Sequence, residues 1–173
     1  MHAFPPLISG NPVVLILGSM PSQTSLAKQQ YYAHPRNIFW WLMADIFEFD
    51  DSVSYASRVE FLTAAGVAVW DVLQQCEREG SLDSSIQRST ELVNDFAAFF
   101  RLNPSVKLIA FNGAAAKQIF MRHCLDVLQQ NPDLEWCQLP SSSPAYAAMN
   151  KQQKLKIWNQ ALPTDLAHSH LIF

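Results

Sequence analysis

Short, mostly apolar runs recur four times along the chain: VVLILG at Val13 to Gly18, VAVW at Val67 to Trp70, VKLIAF at Val106 to Phe111, and EWCQL at Glu135 to Leu139. Their continuity, rather than strict alternation of apolar and polar positions, predicts strands buried on both faces, as in a parallel sheet covered by helices. The segments between them carry helical patterns with end signals. Pro35 opens an apolar-rich run to about Phe47, at the first helical position that proline favours. YASRVEFLTAAG ends at Gly66, a C-terminal cap. TELVNDFAAFFRL stops before Pro104, and GAAAKQIFMRHCLDVLQQ runs until Asn131 and Pro132 end it. Ser143 and Pro144 read as an N-cap and first-turn residue for AYAAMNKQQKLKIWNQAL.

The order strand, helix, strand, helix, strand, helix, strand, helix predicts an α/β fold: a three-layer αβα arrangement around a four-stranded parallel sheet. Ligands in open sheets of this kind bind beyond the carboxyl ends of the strands. The informative loops are therefore GSMPSQTSLAKQQYYAHPRN, DVLQQCEREGSLDSSI, NGAAAK and PSSSPAY. No repeat, low-complexity tract or linker divides the chain, and residues 1–173 read as a single domain, in keeping with their number.

Composition narrows the function classes. Hydrophobic residues make up 49% and charged residues 16%, which argues for an ordered globule rather than disorder. The apolar runs are too short to span a bilayer, and MHAFPPLISGNP lacks the basic and apolar segments of a signal peptide, so a cytoplasmic location is expected. Cys76, Cys124 and Cys137 are odd in number and form no CxxC pair, and they read as small buried hydrophobes. His168 and His170 lie near one another without evident carboxylate or thiol partners, and neither metal nor cofactor is predicted. The net charge of −3 does not announce a polyanion partner, although a protein that meets a few phosphates through backbone amides needs little positive charge.

The first loop has neither GxGxxG nor GxxxxGK[ST], which counts against a dinucleotide fold or a P-loop. It holds Ser19, Pro21, Ser22 and Ser25 in a small-residue turn, then a cluster of aromatics. The fourth loop repeats this chemistry with Ser141, Ser142 and Ser143 between prolines. Each alone reads as a turn with local serine caps or as an anion site; together they suit a phosphodiester backbone held between two strand ends.

GSMPSQTSL with YYAHPRNIFW, then GVAVWDVL with REGSLDSSI, FNGAAA and LPSSSPA, resemble the uracil-DNA glycosylase superfamily. The resemblance is strongest to its hypoxanthine-DNA (deoxyinosine) glycosylase branch, and the mismatch-specific uracil glycosylases share the AHPxNxFW stretch. It covers all four strand-end loops, from Val13 to about Trp158. It implies a small parallel sheet between helical layers and a monofunctional enzyme acting on DNA with deaminated bases, cutting the bond between base and deoxyribose.

On that resemblance Tyr32 stacks on the flipped base and Asn37, placed in the first turn of its helix, orients the attacking water; without it, Asn37 reads as a helix-start residue bonding nearby backbone. Ser19 and Met20 line the base pocket, with Met20 standing where uracil-specific relatives carry a polar Asp or Asn. Asp71, after the second strand, either reads the N–H that hypoxanthine and uracil share or caps the following turn. Pro21, Ser22, His34, Ser141, Ser142 and Ser143 are expected at the DNA backbone, and His34 reads equally as a structural residue. Ser142 or Ser143 occupies the place of a histidine that supports the departing base in uracil glycosylases. Tyr146 and Met149 are candidates for a wedge that fills the hole left by the base. Phe39, Trp40 and Trp41 are expected in the core, and Asn112 as the cap of the helix near Gly113. No lysine is placed for Schiff-base chemistry. Other functions compatible with the residues are a mismatch-specific uracil or thymine glycosylase, a hydrolase of free nucleosides, and a non-catalytic module that binds damaged DNA.

Overall fold

The computed structural model describes residues 1–164; His168 and His170 lie outside the described residues. Strands β1 (Val14–Gly18), β2 (Val67–Asp71), β5 (Leu108–Asn112) and β6 (Glu135–Leu139) form a fully parallel sheet in the order β2-β1-β5-β6. All four coincide with the predicted runs to within two residues. The central strand explains the continuous apolar signal. Val14 and Ile16 face one core cluster with Phe39, Leu42, Met43 and Trp158, while Leu15 and Leu17 face another with Phe96, Phe111 and Phe120. Helices α2 (Phe39–Phe47) and α7 (Lys151–Ala161) cover the first face; α4 (Phe96–Leu102) and α5 (Ala114–His123) cover the second. The three-layer αβα arrangement is thus present.

The two sheet edges are treated differently. The chain before β1 pairs with β2 through reciprocal backbone bonds between Leu7 and Val69 (2.8 and 2.9 Å), and Ala3 N–H reaches the Gln74 carbonyl. At the opposite edge Trp136 of β6 stays 43% exposed, with the Lys117 ammonium 4.9 Å above its ring.

Several helix boundaries differ from the pattern, each for a local reason. Pro35 and Arg36 belong to a turn closed by Asn37 N–H to the His34 carbonyl, so α2 starts only at Phe39. TELVNDF does not continue one helix. Leu92–Val93 is strand β4, paired antiparallel with β3 (Leu73–Gln75), and α4 begins after Asp95, whose carboxylate caps Ala98 N–H. The long run after Gly113 breaks at Cys124 into α5 and α6 (Leu125–Gln130). Pro144 starts no helix: Ser143 Oγ accepts from Ala145 N–H in a tight turn. The stronger start is the reciprocal capping box of Asn150 and Gln153, which opens α7 at Lys151. α3 (Tyr55–Ala64) ends before Gly66, whose φ of +87° fits the predicted cap.

Candidate active site

The chain leaves β1 toward β2 on one side, whereas β5 connects to β6 on the other, so a crevice opens at the carboxyl ends of β1 and β5. A cavity of about 90 Å³ occupies it, with Gly18 and Asn112 from those two strand ends in its wall. It opens into a groove of about 690 Å³; Ser22, Asn37, Ser81, Asp83, Ser141 and Ser143 line both.

Tyr32 forms part of the cavity wall in an uncommon conformation, φ +54°. A bulky side chain there costs on the order of 1 to 2 kcal/mol, which the neighbouring contacts must offset. They come from Tyr31, which is buried and bonded at its N–H to Tyr55 Oη (3.0 Å), at its carbonyl to Trp40 Nε1 (2.9 Å) and at its hydroxyl to the Pro5 carbonyl (2.9 Å). Phe39 backs the Tyr32 ring, centroids 4.0 Å apart and 25° between planes. Trp40 is buried and Trp41 half-buried under Lys151, so the aromatic cluster divides between a cavity wall and its support. The Tyr32 hydroxyl is buried and makes no hydrogen bond of normal geometry, although the Asn112 side chain is close enough to offset part of the rise in its phenol pKa.

Asp71 is the last residue of β2 and the register partner of Gly18. A Cβ on Gly18 would lie 2.5 Å from Asp71 Oδ1 and 3.0 Å from the Tyr32 hydroxyl, so only glycine lets both side chains approach the end of β1. Asp71 is 3% exposed and its Oδ2 has no partner. Burial pushes its carboxyl up to about 7, the nearby Asp83 carboxylate adds to the rise, and the Arg78 guanidinium opposes it. Burial and the Asp71 charge likewise raise the Tyr32 phenol above its ordinary range. Asp71 caps no turn with its side chain; its backbone carbonyl instead takes a bond from Asn94 Nδ2 (2.8 Å).

The β3–β4 excursion carries residues that pattern reading did not single out. Buried Arg78 donates to the Pro21 carbonyl through Nη2 and to the Gly80 carbonyl through Nε, tying this excursion to the first loop. Ser19 donates to Asp83, and Ser81 Oγ accepts from Gln23 N–H (3.0 Å). Buried Ser25 accepts from Ala33 N–H and joins the first loop to the aromatic stretch. The charge alternation within REGSLDSSI was the available signal, but it resembles that of any solvated loop.

Asn37 precedes α2 rather than lying in its first turn. Its Oδ1 accepts from Phe39 N–H (3.0 Å), which fixes the amide and leaves Oδ1 a second lone pair beside the cavity. His34 Nδ1 accepts from Arg36 N–H (3.2 Å), which assigns the proton of the neutral ring to Nε2, and the residue lines the groove. Met20 is buried in the core and also lines the cavity. Ser22 Oγ is committed to the cap of α1 (Gln23–Lys28), accepting from Ser25 N–H.

Ser142 is buried and locked to Asn112, Nδ2 to Oγ and Ser142 N–H to Oδ1, both 2.9 Å. Its hydroxyl is therefore turned inward, and Asn112 joins two loops instead of capping α5, whose N-cap Gly113 has no side-chain bond. Ser141 and Ser143 remain at the groove. Tyr146 and Met149 lie on the loop before α7 rather than on a helix; Tyr146 lines the groove and Met149 is not among its lining residues. The buried Lys154 ammonium holds this loop through the carbonyls of Ser143 and Tyr146, and burial lowers its pKa. Among the described residues there is no group of three or more His, Cys, Asp or Glu placed to hold a metal, and no helix long and apolar enough to cross a membrane.

The family model of the uracil DNA glycosylase superfamily matches residues 5–162. The chain belongs to the uracil DNA glycosylase superfamily. A hypoxanthine DNA glycosylase of Methanosarcina acetivorans is 36% identical over 154 residues, 88% of this chain and 92% of that protein. A hypoxanthine DNA glycosylase of Methanosarcina barkeri is 41% identical over 113 residues, 65% and 70% of the two chains. Among solved structures, the solution NMR structure of a uracil DNA glycosylase candidate from Methanosarcina acetivorans superposes with a TM-score of 0.78 at 32% identity, covering 98% of each chain. The matched region of this superfamily member takes in the four strand ends that build the cavity.

Proposed function

We propose that this chain is a monofunctional DNA glycosylase that removes deaminated bases from DNA, hypoxanthine first and uracil second, leaving an abasic site. The reading is supported by its relatives and carried by one observation: the Asp71 carboxylate and the Tyr32 hydroxyl both reach the end of β1 at the cavity, each with a buried atom that lacks a partner, and Asn37 stands in the same wall. Buried polar atoms without partners are costly and point to a ligand that completes them.

The extruded base enters the cavity against Tyr32. Ionised Asp71 accepts from the N–H that hypoxanthine and uracil share beside a carbonyl. Adenine and cytosine present a lone pair at that position, and the mismatch rejects them. As the glycosidic bond breaks, the base leaves with the bonding electrons and the sugar becomes strongly electrophilic. The attacking water needs orientation more than deprotonation, and Asn37 Oδ1 supplies it by accepting one of its hydrogens; the surplus proton goes to solvent. Ser141, Ser143 and the His34 Nε2–H line the groove as contacts for the DNA backbone. We take residues 1–173 as one domain acting on the chromosome in the cytoplasm.

The test uses oligonucleotides, single-stranded and duplex, with one deoxyinosine or deoxyuridine, followed by alkali to nick abasic sites. Hypoxanthine release by the wild-type protein and its loss in Asn37→Ala are expected. DNA binding with no base released would overturn the enzymatic reading in favour of a binding module, and release from free inosine alone would make the chain a nucleoside hydrolase.

A further inference from the structure

We propose that Leu82, on the excursion between β3 and β4, is the wedge that enters the duplex and fills the space left by the extruded base. The inference rests on the glycosylase reading and adds the residue that opens the duplex. Leu82 is 55% exposed and packs into neither core cluster. Its chain neighbours Ser81 and Asp83 both line the inner cavity, while Leu82 itself lines only the outer groove. It therefore stands at the mouth, where a base passing inward vacates its place in the stack.

The turn that presents it is held on several sides. Ser81 is bonded to Gln23 N–H, Asp83 to Ser19, and the Leu82 carbonyl accepts from Ser85 N–H (3.1 Å). Arg78 clamps the preceding Gly80 carbonyl. An apolar side chain kept in water on a rigid turn, at the entrance of a polar cavity, suits insertion between base steps, where its burial offsets part of the unstacking cost. Tyr146, across the groove, is less exposed at 37%, and its ring is already faced by the Lys154 ammonium at 5.2 Å.

The proposal is tested with Leu82→Ala under single-turnover conditions, on deoxyinosine in a duplex and in the same strand alone. Burial of a leucine side chain predicts a fall of about 10- to 100-fold on the duplex, with the single-strand rate within about twofold of wild type. Leu82→Met, which keeps the apolar volume, retains the duplex rate. In parallel, 2-aminopurine placed next to the deoxyinosine reports unstacking on binding, without any base release; its fluorescence rises with wild type and not with Leu82→Ala. An equal loss on both strand forms, no loss on either, the duplex-selective loss in Tyr146→Ala instead, or a fluorescence rise that is absent from wild type or the same in both proteins would each overturn the wedge assignment. A wild-type protein that unstacks DNA yet releases no base from either strand form would overturn the glycosylase reading and leave the wedge standing.

Discussion

Replacing Asp71 with asparagine should make the protein more stable at alkaline pH while impairing its chemistry. In the folded chain the Asp71 carboxyl titrates near 7, against an ordinary value of 3.8, because it is buried and faces Asp83, with Arg78 only partly compensating. Between these two values the native state keeps a proton that the unfolded chain has released. Stability therefore falls as pH rises, by about 1.4 kcal/mol for each pH unit, and levels off above about 7. About three such units give roughly 4 kcal/mol as the cost of carrying the ionised group at pH 8, an upper figure because native structures relax around charge. Asparagine keeps the shape and removes the titration. Urea denaturation of both proteins at pH 4, 6 and 8 measures the difference, which should be small at pH 4 and approach a few kcal/mol in favour of Asp71→Asn at pH 8. A difference that stays constant from pH 4 to pH 8 would show that Asp71 is not proton-linked to folding and would remove the physical basis for its role.

Hypoxanthine release should rise with pH to a plateau above about 7 as Asp71 ionises, and single-turnover rates of Asp71→Asn should lack that limb. Arg78→Met removes the positive charge that holds the Asp71 carboxyl down, so the midpoint of the same pH profile should move upward; an unmoved midpoint would separate Arg78 from the site's electrostatics. Tyr32→Phe deletes a buried hydroxyl without a partner while keeping the ring, and should raise stability by about 1 to 3 kcal/mol in thermal or urea denaturation. Asn37→Ala should lower the single-turnover rate by about 100-fold or more through loss of water positioning, with little change in DNA affinity by fluorescence anisotropy.

The sheet was legible because buried parallel strands need unbroken apolar runs, and β1 and β5 carry them without ambiguity. The helix starts were less so, because they depend on which competing hydrogen bonds form. Ser143 and Pro144 have the composition of a helix start, yet Asn150 and Gln153 make two reciprocal bonds and fix the start of α7 eight residues after Ser143. Of the site, the aromatic and serine residues could be placed from their position at strand ends. Arg78, Asp83 and the inward turn of Ser142 could not, since their importance lies in partners 57, 64 and 30 residues away in the chain. Nor could composition reveal that Leu82 stands at the mouth, because a single leucine in a polar loop has many ordinary explanations.

The pairing of Leu7 with Val69 has a practical consequence for anyone preparing this protein. Residues 1–8 cover the outer edge of β2, and trimming them would leave the Val69 N–H and carbonyl without their partners on that edge, an opening for another chain to add a strand. At the opposite border the Lys117 ammonium sits above the ring of Trp136, which is 43% exposed, and supplies a charge beside that apolar surface. A version shortened at its start is therefore expected to self-associate edge to edge, and Lys117→Ala should worsen it, with light scattering as the readout.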